Sequence, residues 1–532
     1  MYQLLLYAVA AFLTALFSTP ELYWNFDSSS FASLHELADR IFTFSFQGAL
    51  FRQWALMMCV YGAGLFLPKL ARTLLLTIFL AAVGLFSFFN SYLVFRYSCP
   101  AAEMVVILNS ADVQEVREYF SAMFINNPLF LVCGGLLLFA LPAAFGFLLH
   151  RLPAPGHRRV IAGGTAGFVL LFYLFPPYSY DFTFWRDLPA VDFLYRLSEK
   201  DFFLRSAGEI VTQHNLPAGS EQVLADREKV FGLFVLGESD NRWHHSLYGY
   251  EKATDRRMKD ARGREGFFLF EDVISATTST QHTIYFMFTD GLVAKKYEPL
   301  NFGLCEWFRS AGATVHWLSN QRAHGAWSST AALLFAKADE RIFYSDGTEN
   351  TYDRIALLPH VMERVQKTPA PALVCAQLMG SHYEQRYRID PEWAERNREV
   401  LNGLDMYDRT LVYVDDILGD LKAEIDGRTD PAFLLYAADH SETVPSNRSL
   451  RTAEAVYYEI PMFLYCNEAY RKAFPEKMTF LRQMEKQPWQ TDRMIYLLAN
   501  LMNFPDDHVP AVTTRDPRLV GFGETPYKKS RK

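Results

Sequence analysis

The chain has 532 residues, half of them apolar and 15% aromatic, with a net charge of -7. That length exceeds one ordinary domain, and the charge provides no concentrated basic surface of the kind phosphate-backbone binding needs, which excludes a nucleic-acid partner. Cys59, Cys99 and Cys133 fall in an apolar first third and Cys305, Cys375 and Cys466 in the polar remainder, with no CxxC pair. Free, buried thiols are preferred over a pairing among the last three.

Five segments are long and apolar enough to span a hydrocarbon core, which takes roughly 20 residues per helix. They are Tyr2 to Thr19, Ala49 to Leu67, Thr73 to Phe95, Pro128 to Leu149 and Val160 to Pro176. The first lacks the basic start and small-residue cleavage site of a signal peptide and reads as a retained anchor. The links after spans two and four carry Lys69, Arg72, Arg151, Arg158 and Arg159, whereas those after spans one and three are mainly acidic. Basic flanks stay cytoplasmic, so the polar two-thirds is expected outside, which in a bacterium is the periplasm. Asp181 to Ile210, dense in aromatics, suits a linker along the membrane surface or an amphipathic core helix. The expected organisation is a five-helix transmembrane domain over 1–177, an interfacial linker over 178–228 and a globular domain over 229–532.

Beyond the linker, short apolar runs end abruptly in polar residues, as buried parallel strands do where their carboxyl ends meet a site. Val230 to Leu236 precedes Gly237-Glu238, Thr314 to Leu318 precedes Ser319-Asn320, and Ala372 to Met379 precedes Gly380-Ser381-His382. Phe433 to Tyr436 precedes Asp439-His440, and a fifth run, Ile460 to Tyr465, follows Glu459. Between them a helical pattern is clearest from Trp393 to Ile425, with Leu404, Tyr407, Leu411, Val414, Leu418 and Leu421 on one face. Alternating strands and helices predict an α/β domain with a central, mainly parallel sheet, and ligands in such sheets bind at the strands' carboxyl ends.

Glu238, His382, Asp439 and His440 are metal-ligand side chains at those ends, and mixed carboxylate and imidazole ligation suits zinc. A nucleophile is sought in Ile274-Ser-Ala-Thr-Thr-Ser-Thr-Gln-His282, a hydroxyl-rich run leading into the apolar segment Ile284 to Phe288. A hydroxyl at a helix amino terminus would face backbone N–H groups that favour a phosphate. Amino-capping by Thr or Ser is the plainer reading of this stretch alone.

Six motifs, in order, resemble the landmarks of bacterial phosphoethanolamine transferases, of the sulfatase and alkaline-phosphatase-like superfamily. They are FVLGESDNRWHHSLYGYEKAT (234–254), TTSTQHTIYFMF (277–288), WLSNQ (317–321), MGSHYEQRY (379–387), YDRTLVYVDDIL (407–418) and ADHSE (438–442). The resemblance implies five membrane spans before a periplasmic sulfatase-like domain. It implies that Glu238, Asp439 and His440 ligate zinc, one ion or two, with Thr280 as fourth ligand and nucleophile. It selects Thr280 by counting back from Met287-Phe288, and it places His382 against the phosphoryl group or a second metal. Phosphatidylethanolamine is the implied donor and a lipopolysaccharide or periplasmic glycan the implied acceptor, in a membrane-embedded monomer of the Gram-negative inner membrane.

The chain departs from lipid A-modifying members at several positions. Glu459, placed by the resemblance at the substrate site and able to ligate a second metal, stands where they carry a second histidine, Ala276 and Phe286 replace cysteines flanking the threonine, and Ile107 and Ala111 replace an Asn and a Thr. Glu115 matches the family acid that would contact the ethanolamine ammonium. WLSNQ and HHSLYGY look closer to the branch acting on lipopolysaccharide core sugars or other glycans. A phosphoglycerol transferase of the same superfamily and an inactive membrane-anchored binding protein are the alternatives.

Overall fold

The computed structural model describes residues 67–78, isolated positions as far as Arg151, and most of 202–506 together with 509. Breaks fall at 213, 296–297, 322–329, 346–351, 383–384, 443 and 445–454. The expected spans lie almost wholly outside the described residues, as do Glu115, Ile107 and Ala111. Residues 69–78 are helical and expose Leu70, Leu74, Leu75 and Ile78. Among the described residues no helix is long and apolar enough to cross a membrane.

Nine strands are present in the described residues. β1 is Phe231–Gly237, β2 Phe267–Leu269, β3 Val273–Ile274, β4 Thr314–Ser319, β5 Glu340–Phe343, β6 Ala372–Gln377, β7 Ala432–Ala438, β8 Met462–Cys466 and β9 Trp489–Gln490. Seven of them form one sheet in the order β2-β8-β7-β1-β6-β4-β5, parallel from β7 through β5, with β8 antiparallel to its neighbours β7 and β2. Every residue of β1, β6 and β7 is buried, which is why these strands read as unbroken apolar runs.

Both faces of the sheet are covered. On one, Phe234, Leu236, Leu373, Cys375, Phe433 and Leu435 pack among residues of helices α3 (Thr280–Met287), α4 (Leu304–Ser310) and α8 (Met494–Leu501). On the other, Leu233, Val235, Val374 and Leu434 meet α2 (Arg256–Ala261), α5 (Leu358–Lys367) and α7 (Met406–Asp426). Each such side chain contributes roughly 1.5–3 kcal/mol by leaving water. Helix α1 (Phe202–Thr212) places Ala207 and Ile210 in the first of these cores, and Leu224 joins them. The described part of 178–228, expected as a linker, therefore packs into the globular domain's own core.

Two further expectations are corrected. The pattern from Trp393 to Ile425 is two helices, α6 (Pro391–Arg396) and α7, because Gly403 at φ +77° turns the chain and the Asp405 side chain caps α7 by accepting from the Asp408 amide. The fifth expected strand, β8, runs against its neighbours. Its amino end, and Glu459 before it, therefore lies at the edge where the parallel strands have their carboxyl ends. Cys305, Cys375 and Cys466 are free and buried.

Candidate active site

Strand register brings the first two residues together. β1 lies parallel to β7 with Gly237 opposite Ala438, so Glu238 and Asp439 leave the sheet side by side. The Asp439 amide donates to the Gly237 carbonyl, at 3.0 Å, and the Asp240 amide to the His440 carbonyl, at 2.9 Å. Asp439 Oδ1 accepts the amides of Ser239, at 3.0 Å, and His440, at 2.7 Å. Ser239 holds a positive φ of 54°, a conformation uncommon for a residue with a side chain and concentrated at functional turns. Gly380, at φ +50°, packs against the Glu238 backbone, where a Cβ would stand 3.1 Å from the Glu238 nitrogen.

Thr280 arrives from the other side, as the first residue of α3. The approach is pinned by the Ser275 amide on the Tyr458 carbonyl, at 2.7 Å, and the Ala276 amide on Thr491 Oγ1, at 2.8 Å. Ser279 occupies the cap position without a side-chain cap bond. Ser275 Oγ donates to the Thr277 carbonyl, and Thr277 and Thr283 share a hydrogen bond between their hydroxyls, so these groups are used within the turn. Thr280 Oγ1 instead donates to Glu238 Oε2 at 3.1 Å and lies 3.4 Å from His440 Nε2. The capping reading thus gives way at Thr280, whose hydroxyl is directed at the acidic pair.

Glu238, Asp439 and His440 are all buried, and one potential ligand atom from each lies within 4.8 Å of the others. Burial, reinforced by the neighbouring Asp439 carboxylate and opposed by His440, pushes the Glu238 carboxyl up to about 7. Burial also raises Asp439, against the hydrogen bonds it accepts. Asp439 Oδ2 is buried with no hydrogen-bond partner, a costly arrangement unless a cation or donor meets it. His440 Nδ1 lies 2.9 Å from the Ser441 carbonyl and so carries the proton, which leaves the Nε2 lone pair facing Glu238 and Asp439 at 3.5 and 3.6 Å. Two carboxylates, one imidazole and an adjacent hydroxyl fit a four-coordinate zinc centre with one reacting position.

The remaining expected residues are placed differently. His382 follows the Gly380 turn and is half-buried; its amide donates to the Met379 carbonyl, and its own carbonyl accepts from Arg388 Nε. Glu459 is fully buried beside this edge, yet its carboxylate is not grouped with the three. Oε2 accepts from Trp243 Nε1 at 2.5 Å, and Oε1 faces the buried Arg242 guanidinium at 3.8 Å. Sequence reasoning gave no role to Gln321, whose Nε2 donates to Glu238 Oε2 at 2.8 Å, or to Asp353, which accepts the amides of Met379 and Gly380. WLSNQ contains Gln321, but a neutral amide after a strand carries no signal of its own.

The sulfatase family model matches residues 231–504, slightly more than half of the 532 residues. Phosphoethanolamine transferase EptC of Escherichia coli (strain K12) is 23% identical over 333 residues, 56% of this chain and 56% of that protein. The Kdo(2)-lipid A phosphoethanolamine 7''-transferase of Salmonella typhimurium is 22% identical over 300 residues, 49% of this chain and 48% of that protein. The chain thus spans about half the length of the curated relatives it matches. Among solved structures, the integral membrane protein lipooligosaccharide phosphoethanolamine transferase A of Neisseria meningitidis shares the fold, with a TM-score of 0.61 at 18% identity over 96% of this chain and 99% of that one. Proteins named phosphoethanolamine transferases are what the six motifs led one to expect. With Glu238, Thr280, Asp439 and His440 all within the matched segment, the chain belongs to the sulfatase family.

Proposed function

We propose that the chain is a multi-pass inner-membrane enzyme that moves phosphoethanolamine from phosphatidylethanolamine to a cell-envelope acceptor, a lipopolysaccharide or periplasmic glycan, through Thr280. Five spans over 1–177 hold the domain that follows in the periplasm, next to the lipid donor. The observation that carries this reading is the Thr280 hydroxyl, 3.1 Å from Glu238 Oε2 and 3.4 Å from His440 Nε2 at the start of α3. Names shared by the curated relatives support the donor group, and the family match supports the site.

Glu238, Asp439 and His440 would hold one zinc ion, with Thr280 beside it; a bound zinc lowers the pKa of a coordinated hydroxyl near neutral pH. The chain's own residues supply the rest. Thr280 Oγ1 attacks phosphorus, the bond from phosphorus to the glycerol oxygen breaks, and diacylglycerol leaves with a proton on that oxygen. The proton that Thr280 Oγ1 gives up goes to solvent and the glycerol oxygen takes one up in return, so Glu238 keeps the ionised form a ligand needs. The α3 amino terminus stabilises the phosphoryl oxygens through backbone N–H groups, and His382 meets them from the Gly380 turn. Glu115 takes the ethanolamine ammonium. An acceptor oxygen then attacks phosphorus and displaces Thr280 Oγ1, which recovers a proton; two displacements at one residue imply ping-pong kinetics. Glu459 acts by fixing Trp243 and Arg242 rather than by direct contact.

The test supplies detergent-solubilised full chain with head-group-labelled phosphatidylethanolamine or phosphatidylglycerol. Label retained on protein and acceptor from phosphatidylethanolamine, with diacylglycerol released, is the expected result. Label retained only from phosphatidylglycerol would make the chain a phosphoglycerol transferase, and retention from neither would end the proposal.

A further inference from the structure

Besides the Thr280 hydroxyl, two donors hold the Glu238 carboxylate, and they come from different parts of the fold. Ser239 Oγ donates to Oε1 at 2.7 Å from the next residue in the chain. Gln321 Nε2 donates to Oε2 at 2.8 Å from 83 residues away, beyond β6 in the sheet order. Gln321 is itself well anchored. Its amide donates to Ser319 Oγ at 3.0 Å, Ser319 Oγ donates to Gln377 Oε1 at 2.8 Å, and the Asn320 amide donates to the Gln377 carbonyl at 2.9 Å. The second hydrogen on Nε2 meets the Leu378 carbonyl at 3.1 Å. Two acceptors on one nitrogen fix which way the amide points, because its oxygen would be repelled there.

The same exit from β4 also braces the opposite side of Glu238. Asn320 Nδ2 donates to Asp353 Oδ1 at 2.7 Å, and Asp353 accepts the amides of Met379, at 2.8 Å, and Gly380, at 2.9 Å. Gly380 is the residue that packs on the Glu238 backbone. The β4 exit thus grips Glu238 through its carboxylate directly and through its backbone by way of Asp353 and Gly380.

We infer that Gln321 is a positioning residue for the metal centre, holding Glu238 Oε2 so that the carboxylate's remaining lone pairs face Asp439, His440 and Thr280. A glutamate has a soft terminal torsion, and one fixed donor per oxygen removes that freedom while favouring the ionised form a metal needs. This inference rests on the reading that Glu238, Asp439 and His440 hold zinc.

The test strips the full chain in detergent with a chelator and titrates zinc by calorimetry, for the wild type, Gln321→Met and Gln321→Ala. Methionine keeps the side chain's reach and removes the donor. Both variants are expected to bind zinc about 10–100-fold more weakly, the usual loss for an outer partner of a ligand, while the stripped proteins remain folded. Variants that bind zinc as tightly as the wild type overturn the inference, even where the stripped protein melts earlier, because Gln321 would then only brace β4 against β6. A wild type that binds no zinc removes the underlying reading and the inference with it.

Discussion

Two buried clusters, each of two carboxylates and one histidine, draw residues from the stretch that follows Gly237, and they are built to opposite ends. In one, His245 lies between Asp240, at 2.6 Å from Nε2, and Asp255, at 2.5 Å from Nδ1. Tyr436 donates to the other Asp240 oxygen, and the Leu247 amide to the other Asp255 oxygen. Burial pulls the imidazole down, but the two carboxylates outweigh it and hold it well above the usual histidine range. Here every ring nitrogen and carboxylate oxygen is used, and the acids sit at opposite edges of the ring, where they cannot converge on one ion. In the other cluster, ligand atoms of Glu238, Asp439 and His440 lie within 4.8 Å of one another, and Asp439 Oδ2 is left without a hydrogen-bond partner. The same kinds of group, two carboxylates and one imidazole, are spent on one another in one place and could hold a metal ion in the other. The deciding feature is whether the polar atoms are already spent.

Several experiments break or sharpen this contrast. The largest effect is expected from Thr280→Ala, which should reduce transfer by at least ~10³-fold, as loss of a nucleophile does, while zinc content falls only in part; normal turnover would refute the mechanism. Next, His245→Ala strands two buried carboxylates and should cost about 3–5 kcal/mol in unfolding experiments on the stripped chain. His440→Ala should cost under about 1 kcal/mol in the same buffer yet abolish stabilisation by zinc. Equal losses from the two variants would erase the distinction between the clusters.

A pH effect follows from Glu238. Its carboxyl is raised to about 7, by burial first and Asp439 second. The stability it contributes is complete below the ordinary carboxylate range and is lost as pH rises through about 7. Metal-free protein should therefore lose up to ~3 kcal/mol between pH 5 and 8, and Glu238→Gln should flatten that slope. An unchanged slope would place the titration elsewhere. Tyr436→Phe removes one hydrogen bond to a buried carboxylate and should cost roughly 1.5–3 kcal/mol, with zinc affinity unaltered.

Much of the fold was legible because fully buried parallel strands leave uninterrupted apolar runs, and the polar residues ending those runs mark the functional edge. β2 and β5 were missed, being three and four residues long, too short to show a pattern. The direction of β8 was not legible either, since an apolar run reads alike both ways; that direction is what brings Glu459 to the edge. Leu404 fits the helical spacing although α7 begins after it, because spacing does not register the turn at Gly403. At the site, Glu238, Asp439 and His440 could be proposed as ligands, but nothing in residue type separated Asp439-His440 from Asp240 and His245. Thr280 was chosen among its hydroxyl neighbours by motif order alone. In the structure Ser275, Thr277 and Thr283 are engaged within the turn, whereas the Thr280 hydroxyl meets Glu238.

The central claim is that Thr280 carries the transferred group. Full chain incubated with phosphatidylethanolamine in the absence of acceptor, quenched in acid and digested, allows the peptide containing Thr280 to be examined by mass spectrometry. One phosphoethanolamine increment on Thr280, lost when acceptor is added before quenching, is the predicted result. Turnover with the increment absent from Thr280, or present on another residue of the turn, would contradict it.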